Sequence, residues 1–244
     1  MRRLLLTLCF DGTNYCGWQM QKNTISVQQT VTETLETVVG RVTGGIVGCS
    51  RTDSGVHANK FCCHFDTDSN IPENKLVMAL NARLPKDISV LDCVKKDENF
   101  HARYSAKRKR YVYKFYVSKI RNPFYEGYSY RVKDLDIDLL NKYCEAFSGE
   151  HDFKAFCSSG SSVRSTVREI YSCGFSRCNN EILFKIEGSG FLYNMVRIIV
   201  GTLLDTANGK TDGNNISEII EQKDRNKAGK TAPPYALYLD EVFY

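Results

Sequence analysis

The sequence predicts an α+β protein made of two fused, similar halves of α/β-sandwich type, with largely antiparallel strands in one continuous sheet. Helices are expected on one face of the sheet and an active-site cleft between the halves. In each half, stretches rich in β-branched and aromatic residues alternate with amphipathic stretches of helical period. No linker rich in Pro, Gly or Ser divides the chain, and a weak break near residues 104–110 predicts halves at 1–104 and 105–244.

Four helices are predicted from their ends and apolar faces. The first begins at Ser26, with Gln29 in the capping-box position, and ends at Gly40. The second is the stretch PENKLVMALNARLP, which opens on proline and repeats leucine every four residues. The third is DIDLLNKYCEAFSG, and the fourth is ISEIIEQKDR, where Asn215 and Glu218 match another capping box.

Strands are predicted where β-branched and aromatic residues cluster between turn residues. Seven stretches meet this description: LLLTLCF, NKFCCHFDT, ISVLDCV, RYVYKFYV, EIYSCGFSR, EILFKIEGSG and LYLDEVFY. The glycine-rich loops GxGxxG and GxxxxGKS/T are not found between these strands and the helices. The sequence therefore does not indicate a nucleotide-binding fold of either kind.

Composition narrows the class of protein. The chain has 42% hydrophobic and 25% charged residues, which is typical of a soluble globular protein. The apolar run LLLTLCF is short for a signal peptide, and the longest apolar segment, residues 191–204, is too short to span a bilayer. Ten scattered cysteines without a CxxC pair predict reduced thiols and no metal site. We therefore expect a cytoplasmic protein without membrane contact.

The net charge of +5 is concentrated in one short segment. Residues 105–130 hold seven Lys or Arg against one Glu, and a basic block of four consecutive cations precedes an aromatic strand. Cations bind phosphates, and a ring stacked on a base contributes about 1–3 kcal/mol, so the pattern favours RNA binding. A solvated turn followed by a core strand with buried rings is the alternative. The basic block consists of Lys107, Arg108, Lys109 and Arg110.

Arg197 lies within the apolar helical stretch NMVRIIVG. An unpaired guanidinium is costly to bury, so this side chain needs an anion. A structural salt bridge within the protein is one possibility. A site between the two halves is the other.

The stretch CSRTDSGVHA, residues 49–58, holds Asp53 between two hydroxyl residues on a glycine-containing loop. Such an aspartate often forms only a turn. However, Arg51 would favour the ionised carboxylate, and a loop between structured segments can present a reactive group. An ionised carboxylate can act as a nucleophile or a general base. A hydrolase with paired carboxylates would need a second acid, and this stretch has none, which argues against that class of enzyme. We expect His57 to be structural.

These segments also carry a resemblance that covers nearly the whole chain. SRTDSGVHA, LNARLPKDI and FHARYSAKRKRYVY resemble the RTDxGVHA, NxxLPxDI and FxARxxAxxKxYxY segments of the TruA family of tRNA pseudouridine synthases. GSGFLYNMVRIIVG is similar to the family's FLxxMVRxIVG helix. The opening FDGTNYCGWQMQKNTISVQQTVTETL and the closing APPYALYLDEV also match. In the closing segment Ala236 stands where the family usually has glycine, and Cys49 replaces a common Gly or Ala.

The resemblance implies an isomerase that converts uridine to pseudouridine in the anticodon stem-loop, at tRNA uridines 38–40, without a cofactor or metal. It implies that Asp53 is the catalytic nucleophile, that Tyr111 stacks on the target uracil and that Arg197 pairs with Asp53. Arg51 would shape the loop and orient the substrate, and the basic block would bind RNA. A homodimer with tRNA lying across both subunits is implied as well.

Two other functions stay open on the residues alone. The basic block could belong to a non-catalytic RNA-binding or RNA-folding protein. Asp53 could instead serve a hydrolase that cleaves nucleosides and releases the base.

Overall fold

The computed structural model describes residues 1–160, 163–210 and 215–244. These residues form five α-helices, namely α1 (Val27–Val39), α2 (Glu73–Asn81), α3 (Ile137–Cys144), α4 (Met195–Ala207) and α5 (Ile216–Gln222). They also form ten strands, namely β1 (Arg2–Phe10), β2 (Thr43–Gly48), β3 (His57–Thr67), β4 (Ile88–Lys96), β5 (Arg108–Val117), β6 (Tyr130–Val132), β7 (Gly149–Asp152), β8 (Val167–Cys178), β9 (Glu181–Gly188) and β10 (Leu237–Phe243).

The chain folds as two compact units. Unit 1 comprises Met1–Lys107 and Tyr238–Tyr244, and unit 2 comprises Arg108–Leu237. In unit 1 the strand order is β4-β1-β3-β10, and β2 also pairs with β3. Among the described strands of this unit, only the β3–β10 pair is parallel. In unit 2 the order is β5-β9-β8-β7, all antiparallel, and β6 runs parallel to β5. The predicted α+β class with largely antiparallel strands is confirmed.

The units divide the chain differently from the halves expected at 1–104 and 105–244. The final strand belongs to unit 1, because β10 runs alongside β3. Side chains reinforce this pairing: Asn59 donates to Asp240 at 2.8 Å, and Lys60 lies 2.7 Å from the carboxylate of Glu241. A strand pattern in the sequence identifies a strand but does not identify its partner, so this long-range pairing was missed.

The predicted helix α1 is confirmed together with its ends. The Ser26 hydroxyl accepts a hydrogen bond from the backbone N–H of Gln29 at 3.2 Å. Gly40 ends the helix with φ 76° and ψ −162°, a positive-φ conformation that glycine adopts without strain. The residues buried along one face are Val27, Val31 and Leu35. Among the helices of the described ranges, none is long and apolar enough to cross a membrane.

The predicted capping box of α5 is wrong. Asn215 precedes the helix, but its side chain makes no capping hydrogen bond to the described helix. Its backbone has φ −91° and ψ 6°, whereas a capping side chain is usually presented from an extended residue. The other two helices form with shorter bounds than predicted: α2 follows Pro72, and α3 ends at Cys144 and continues as a 3-10 turn over Glu145–Phe147.

All seven predicted strands form, and three further strands were missed. β2 has the sequence TGGIVG, β6 is three residues long and β7 has the sequence GEHD. Glycine, short length and polar residues each remove the local signal on which strand prediction depends. Pairing with β3, β5 and β8 therefore determines these three strands.

Candidate active site

Asp53 opens a tight turn in the loop between β2 and β3. Its backbone carbonyl accepts a hydrogen bond from Val56 N at 3.1 Å, which closes a four-residue turn. Gly55, at the third position, has φ 76°, a value that a turn of this kind requires and that favours glycine. Asp53 itself is half-buried. The turn therefore fixes the backbone on both sides of the carboxylate.

A second loop, residues 12–18, holds the Asp53 turn in place. The carbonyl oxygen of Tyr15 accepts hydrogen bonds from Gly55 N at 3.2 Å and from Ser54 Oγ at 3.3 Å. Trp18 N donates to the carbonyl oxygen of Thr52 at 3.3 Å. Backbone groups on each side of Asp53 are thus hydrogen-bonded to the same loop.

Two glycines of this loop allow the close approach. A Cβ at Gly17 would lie 2.2 Å from the carbonyl oxygen of Thr52, and one at Gly12 would lie 2.1 Å from that of Val56. Gly17 also has φ 82°, which disfavours any other residue. The two loops can therefore pack only with glycine at both positions.

His57 connects the loops to the sheet. It is buried, its Nδ1 accepts a hydrogen bond from Gly12 N at 3.0 Å, and Asp11 Oδ1 lies 3.1 Å from the same nitrogen. The imidazole ring stacks on Tyr238 of β10 with 4.7 Å between the ring centroids. These contacts support the structural role expected for His57.

The two residues that precede Asp53 differ in exposure. Thr52 Oγ1 is buried and makes no hydrogen bond to the residues that the structure describes. Arg51 is exposed and lines a pocket of about 280 Å³ in unit 1. In the ranges with described placement, no three His, Cys, Asp or Glu side chains form a group that could hold a metal ion.

Arg197 lies in the first turn of α4 in unit 2. Its Nε donates to the carbonyl oxygen of Ala232 at 2.8 Å, and its Nη1 donates to Asn194 Oδ1 at 2.6 Å. Both acceptors are oxygen atoms of unit 2, and they orient the half-buried guanidinium. Asn194, just before the helix, has a left-handed backbone with φ 61°.

The helix carrying Arg197 packs closely on the segment that follows α5. Ala232 N donates to the carbonyl oxygen of Arg197 at 3.0 Å, and a Cβ at Gly201 would lie 1.6 Å from the carbonyl oxygen of Lys230. This approach fixes the position of α4 within unit 2. Ala236, the departure from the family pattern, is buried and has no positive φ, so alanine needs no glycine-like backbone there.

Tyr111 lies on β5 and is 6% exposed, with its ring edge-to-face against Phe191 at 5.1 Å between centroids. Tyr113, two residues along the same face, is fully buried and donates its hydroxyl to the carbonyl oxygen of Pro233 at 3.0 Å. Phe115 is also fully buried. The rings of this strand are therefore core residues, as in the alternative reading of the sequence, and Tyr111 is the least enclosed of the three.

The basic block is partly neutralised. Glu187 on β9 binds two of its members, with Oε2 3.2 Å from Arg108 Nη1 and Oε1 2.6 Å from Arg110 Nε. Lys109 is 8% exposed, whereas Lys107 is exposed. Reasoning from the sequence missed Glu187, because only the strand register places it directly opposite Arg110.

The sequence-predicted residues divide between the units. Asp53 and Arg51 share one loop of unit 1, together with Lys107 at the end of that unit. The remaining five belong to unit 2: Arg108, Lys109, Arg110 and Tyr111 lie on β5, and Arg197 lies on α4. The pairing of Asp53 with Arg197 stays a prediction.

Comparison with known proteins adds a clear family likeness. A family model described as tRNA pseudouridine synthase matches residues 8–105 and 143–244. The tRNA pseudouridine synthase A of Caldicellulosiruptor bescii is 45% identical over 245 residues, and that of Caldicellulosiruptor saccharolyticus is 46% identical over 245 residues. That of Ruminiclostridium cellulolyticum is 46% identical over 246 residues. Each of the three alignments covers 100% of both chains.

Proposed function

The chain belongs to the tRNA pseudouridine synthase family, and we propose that it modifies the anticodon stem-loop at tRNA uridines 38–40, with Asp53 as nucleophile and without a cofactor. Family membership makes the protein an isomerase that acts on uridine in tRNA. The proposal that Asp53 is the nucleophile is supported by the way the backbone around Asp53 is held. The single carboxylate stands on a glycine turn that a second loop holds on both sides.

The reaction is an isomerisation that balances without an oxidant or reductant. The bond from ribose C1′ to N1 of uracil breaks, the base rotates and C1′ bonds to C5. The C5 proton leaves, and N1 gains a proton. Asp53 supplies the nucleophile, and its target is either C1′ of the ribose or the base. A carboxylate held by its own backbone is already positioned for attack, which lowers the entropic cost of the step.

Three other side chains take supporting roles in the proposal. Tyr111 stacks on the extruded uracil, which agrees with its being the least enclosed ring of β5. Arg197 pairs with Asp53, and its hydrogen bonds to Ala232 and Asn194 orient the guanidinium. Arg51 is exposed and orients the substrate.

RNA binding completes the proposal. Extruding a base costs a few kcal/mol, which contacts to phosphates offset. Within the basic block, exposed Lys107 is the better placed for such contacts, since Glu187 already binds Arg108 and Arg110. We propose that the protein acts in the cytoplasm as a homodimer, with tRNA lying across both subunits.

The test is release of tritium from C5-tritiated uridine in unmodified tRNA. We expect Asp53→Asn to lower the rate by at least about 10⁴-fold, as loss of a nucleophile does, while tRNA affinity stays within about threefold. Asp68→Asn, an exposed carboxylate of the same unit, is the matched control and should keep full activity. Near-native activity in Asp53→Asn would contradict the assignment of the nucleophile.

The same assay separates the alternatives. Free uracil released from the RNA would indicate a nucleoside-cleaving hydrolase. Tight, salt-sensitive tRNA binding without tritium release from the native protein would indicate a non-catalytic RNA-binding protein.

A further inference from the structure

We propose that unit 1 carries a second nucleotide-binding site, separate from the position of the reacting uridine. In this site an unpaired base of the RNA stacks on Tyr104, and Arg103 and Arg51 contact the neighbouring phosphates. The identity of the ligand as the RNA substrate rests on the function proposed above. The site itself rests on a pocket, an exposed ring and a rigid turn.

The pocket has a volume of about 280 Å³ and lies wholly in unit 1. The residues that line it include Trp18, Gln28 and Arg51, together with the turn residues His101, Arg103 and Tyr104. Both polar atoms of the Gln28 side-chain amide are hydrogen-bonded: Nε2 donates to Ile46 O at 2.9 Å, and Oε1 accepts from Met20 N at 2.9 Å. The wall is therefore fixed before any ligand arrives.

Tyr104 is 77% exposed, so its ring contributes little to the core of the protein. It contacts the imidazole of His101, with 4.3 Å between centroids and 32° between planes. The guanidinium carbon of Arg103 lies 5.8 Å from the Tyr104 centroid. An open aromatic ring next to a cation is what a protein offers to an unpaired base.

The turn that presents Tyr104 is closed by its own hydrogen bonds. Ser105 N donates to the carbonyl oxygen of His101 at 2.8 Å, and His101 N donates to Ser105 Oγ at 3.0 Å. His101 Nδ1 accepts from Arg103 N at 3.2 Å and from Tyr104 N at 3.3 Å. Burial and the nearby Arg3 and Arg103 lower the pKa of His101, which favours the neutral ring that can accept these bonds.

The same turn is tied to the sheet of unit 1. Ala102 N donates to His64 Nδ1 at 3.0 Å, and the carbonyl oxygen of Ala102 accepts from the Tyr244 hydroxyl at 2.9 Å. The ring of Phe100 packs on that of Tyr244 at 4.9 Å between centroids, and the carbonyl oxygen of Phe100 accepts from Arg3 Nη1 at 2.8 Å. Because the backbone that presents Tyr104 is already fixed, little further backbone entropy is lost when a base stacks on the ring.

The charge of the pocket favours an anion. Arg51 and Arg103 are both exposed, and no Asp or Glu is found among the described residues that line the pocket. An acidic protein segment would also satisfy two arginines. RNA is favoured because Arg51 stands two residues before Asp53, so a strand entering the Asp53 loop passes beside the pocket.

The test compares Tyr104→Ala with Tyr104→Phe in the full chain, measuring affinity for an unmodified anticodon stem-loop RNA. We expect Tyr104→Ala to weaken binding by about 5- to 150-fold, the equivalent of about 1–3 kcal/mol for one stacked base. Tyr104→Phe keeps the ring and should stay within about twofold of the native protein. Met78→Ala removes another exposed apolar side chain of unit 1, outside the pocket, and should change nothing.

A second measurement identifies the base. Each unpaired nucleotide of the RNA is replaced in turn by an abasic one, and binding is measured with the native protein and with Tyr104→Ala. One abasic position should weaken native binding as much as Tyr104→Ala does, and the two changes together should cost no more than either alone. Unfolding temperatures should not move, because the ring is exposed.

The outcomes separate this site from the proposed function. Unchanged affinity in Tyr104→Ala, with tritium still released by the native protein, overturns the site alone and leaves the pocket to a partner such as an acidic protein segment. Weakened binding by Tyr104→Ala but not by Tyr104→Phe, without tritium release from the native protein, supports the site and overturns the proposed function. Equal losses in Tyr104→Ala and Tyr104→Phe overturn stacking.

Discussion

The turn at residues 100–105 and the basic block at 107–110 are neighbours in the sequence and differ sharply in what they expose. The block has four consecutive cations, yet Glu187 binds two of them and Lys109 is buried. The turn has one arginine, yet it presents that arginine and an exposed tyrosine on a fixed backbone. The number of cations in a stretch of sequence therefore does not indicate how many of their side chains are exposed.

The difference has a structural cause. The block begins a strand, where successive side chains point to opposite faces and a residue of the neighbouring strand lies opposite each one. Arg110 consequently lies opposite Glu187. The Glu187 side chain is 14% exposed, so the ion pair is partly removed from water. The turn satisfies its backbone groups internally and through His64, which leaves the side chains of Arg103 and Tyr104 directed to solvent.

Of these effects, the largest is expected in the free energy of unfolding at acid pH, through His64, which accepts the hydrogen bond from Ala102 N in the turn. Burial, followed by the charges of Arg3 and His101, lowers the pKa of His64 to about 4 from an ordinary value of 6.5. The unfolded chain therefore takes up a proton below pH 6.5, whereas the folded protein does so only near pH 4. Stability from this group is complete above pH 6.5 and is lost as the pH falls towards 4, by at most about 3 kcal/mol.

Urea unfolding of the native protein and of His64→Asn between pH 7 and pH 4 measures this effect. The variant should be less stable at pH 7 but should lose less stability on acidification. Asp66, whose pKa the Arg3 hydrogen bond lowers, titrates in both proteins, and its interaction with His64 is part of the measured difference. Identical pH dependence in the two proteins would refute the contribution of His64.

An effect of intermediate size is expected when the carboxylate that pairs with Arg108 and Arg110 is removed. Glu187→Gln removes the shared carboxylate, so we expect a loss of about 1–2 kcal/mol in unfolding free energy, because the pairs are only partly buried. The released arginines should raise RNA affinity and steepen its salt dependence. Glu181→Gln, an exposed glutamate at the start of the same strand β9, is the control. Lower RNA affinity in Glu187→Gln would contradict the comparison.

The smallest expected effect compares two arginines directly. Arg103→Ala should lower the slope of log affinity against log salt by about one, as loss of one phosphate contact does. Arg108→Ala should change the slope much less, because Glu187 already binds this 45% exposed side chain. Filter binding over a series of salt concentrations gives both slopes. Equal changes would mean that the turn and the block contribute alike.

Local features of the sequence predicted much of the fold. The Ser26 hydroxyl contacts Gln29, three residues later, and Gly40 N contacts Glu36, four residues earlier, so each end of α1 depends on residues close in the sequence and could be predicted. The same holds for the seven long strands. The strands β2, β6 and β7 could not be predicted, because their formation depends on partners distant in the chain.

The candidate site shows the same limit. The SRTDSG stretch indicated a loop with a single carboxylate. The position of that loop in the structure depends on Gly17 and Tyr15, which lie more than thirty residues earlier. Glu187 opposite Arg110 and Tyr244 beneath Ala102 are likewise products of register and topology. Residue types can be identified along a sequence, whereas the groups that support or neutralise them are found only in three dimensions.

The place of β10 in unit 1 also has a consequence for a growing polypeptide on the ribosome. Residues 1–107 leave the ribosome first, but Tyr238, which stacks on His57, and Tyr244, which anchors Ala102, are made only after all of unit 2. Unit 1 must therefore wait, unfinished, while unit 2 is synthesised and becomes free to fold. The two units are completed in the reverse of the order in which they are begun.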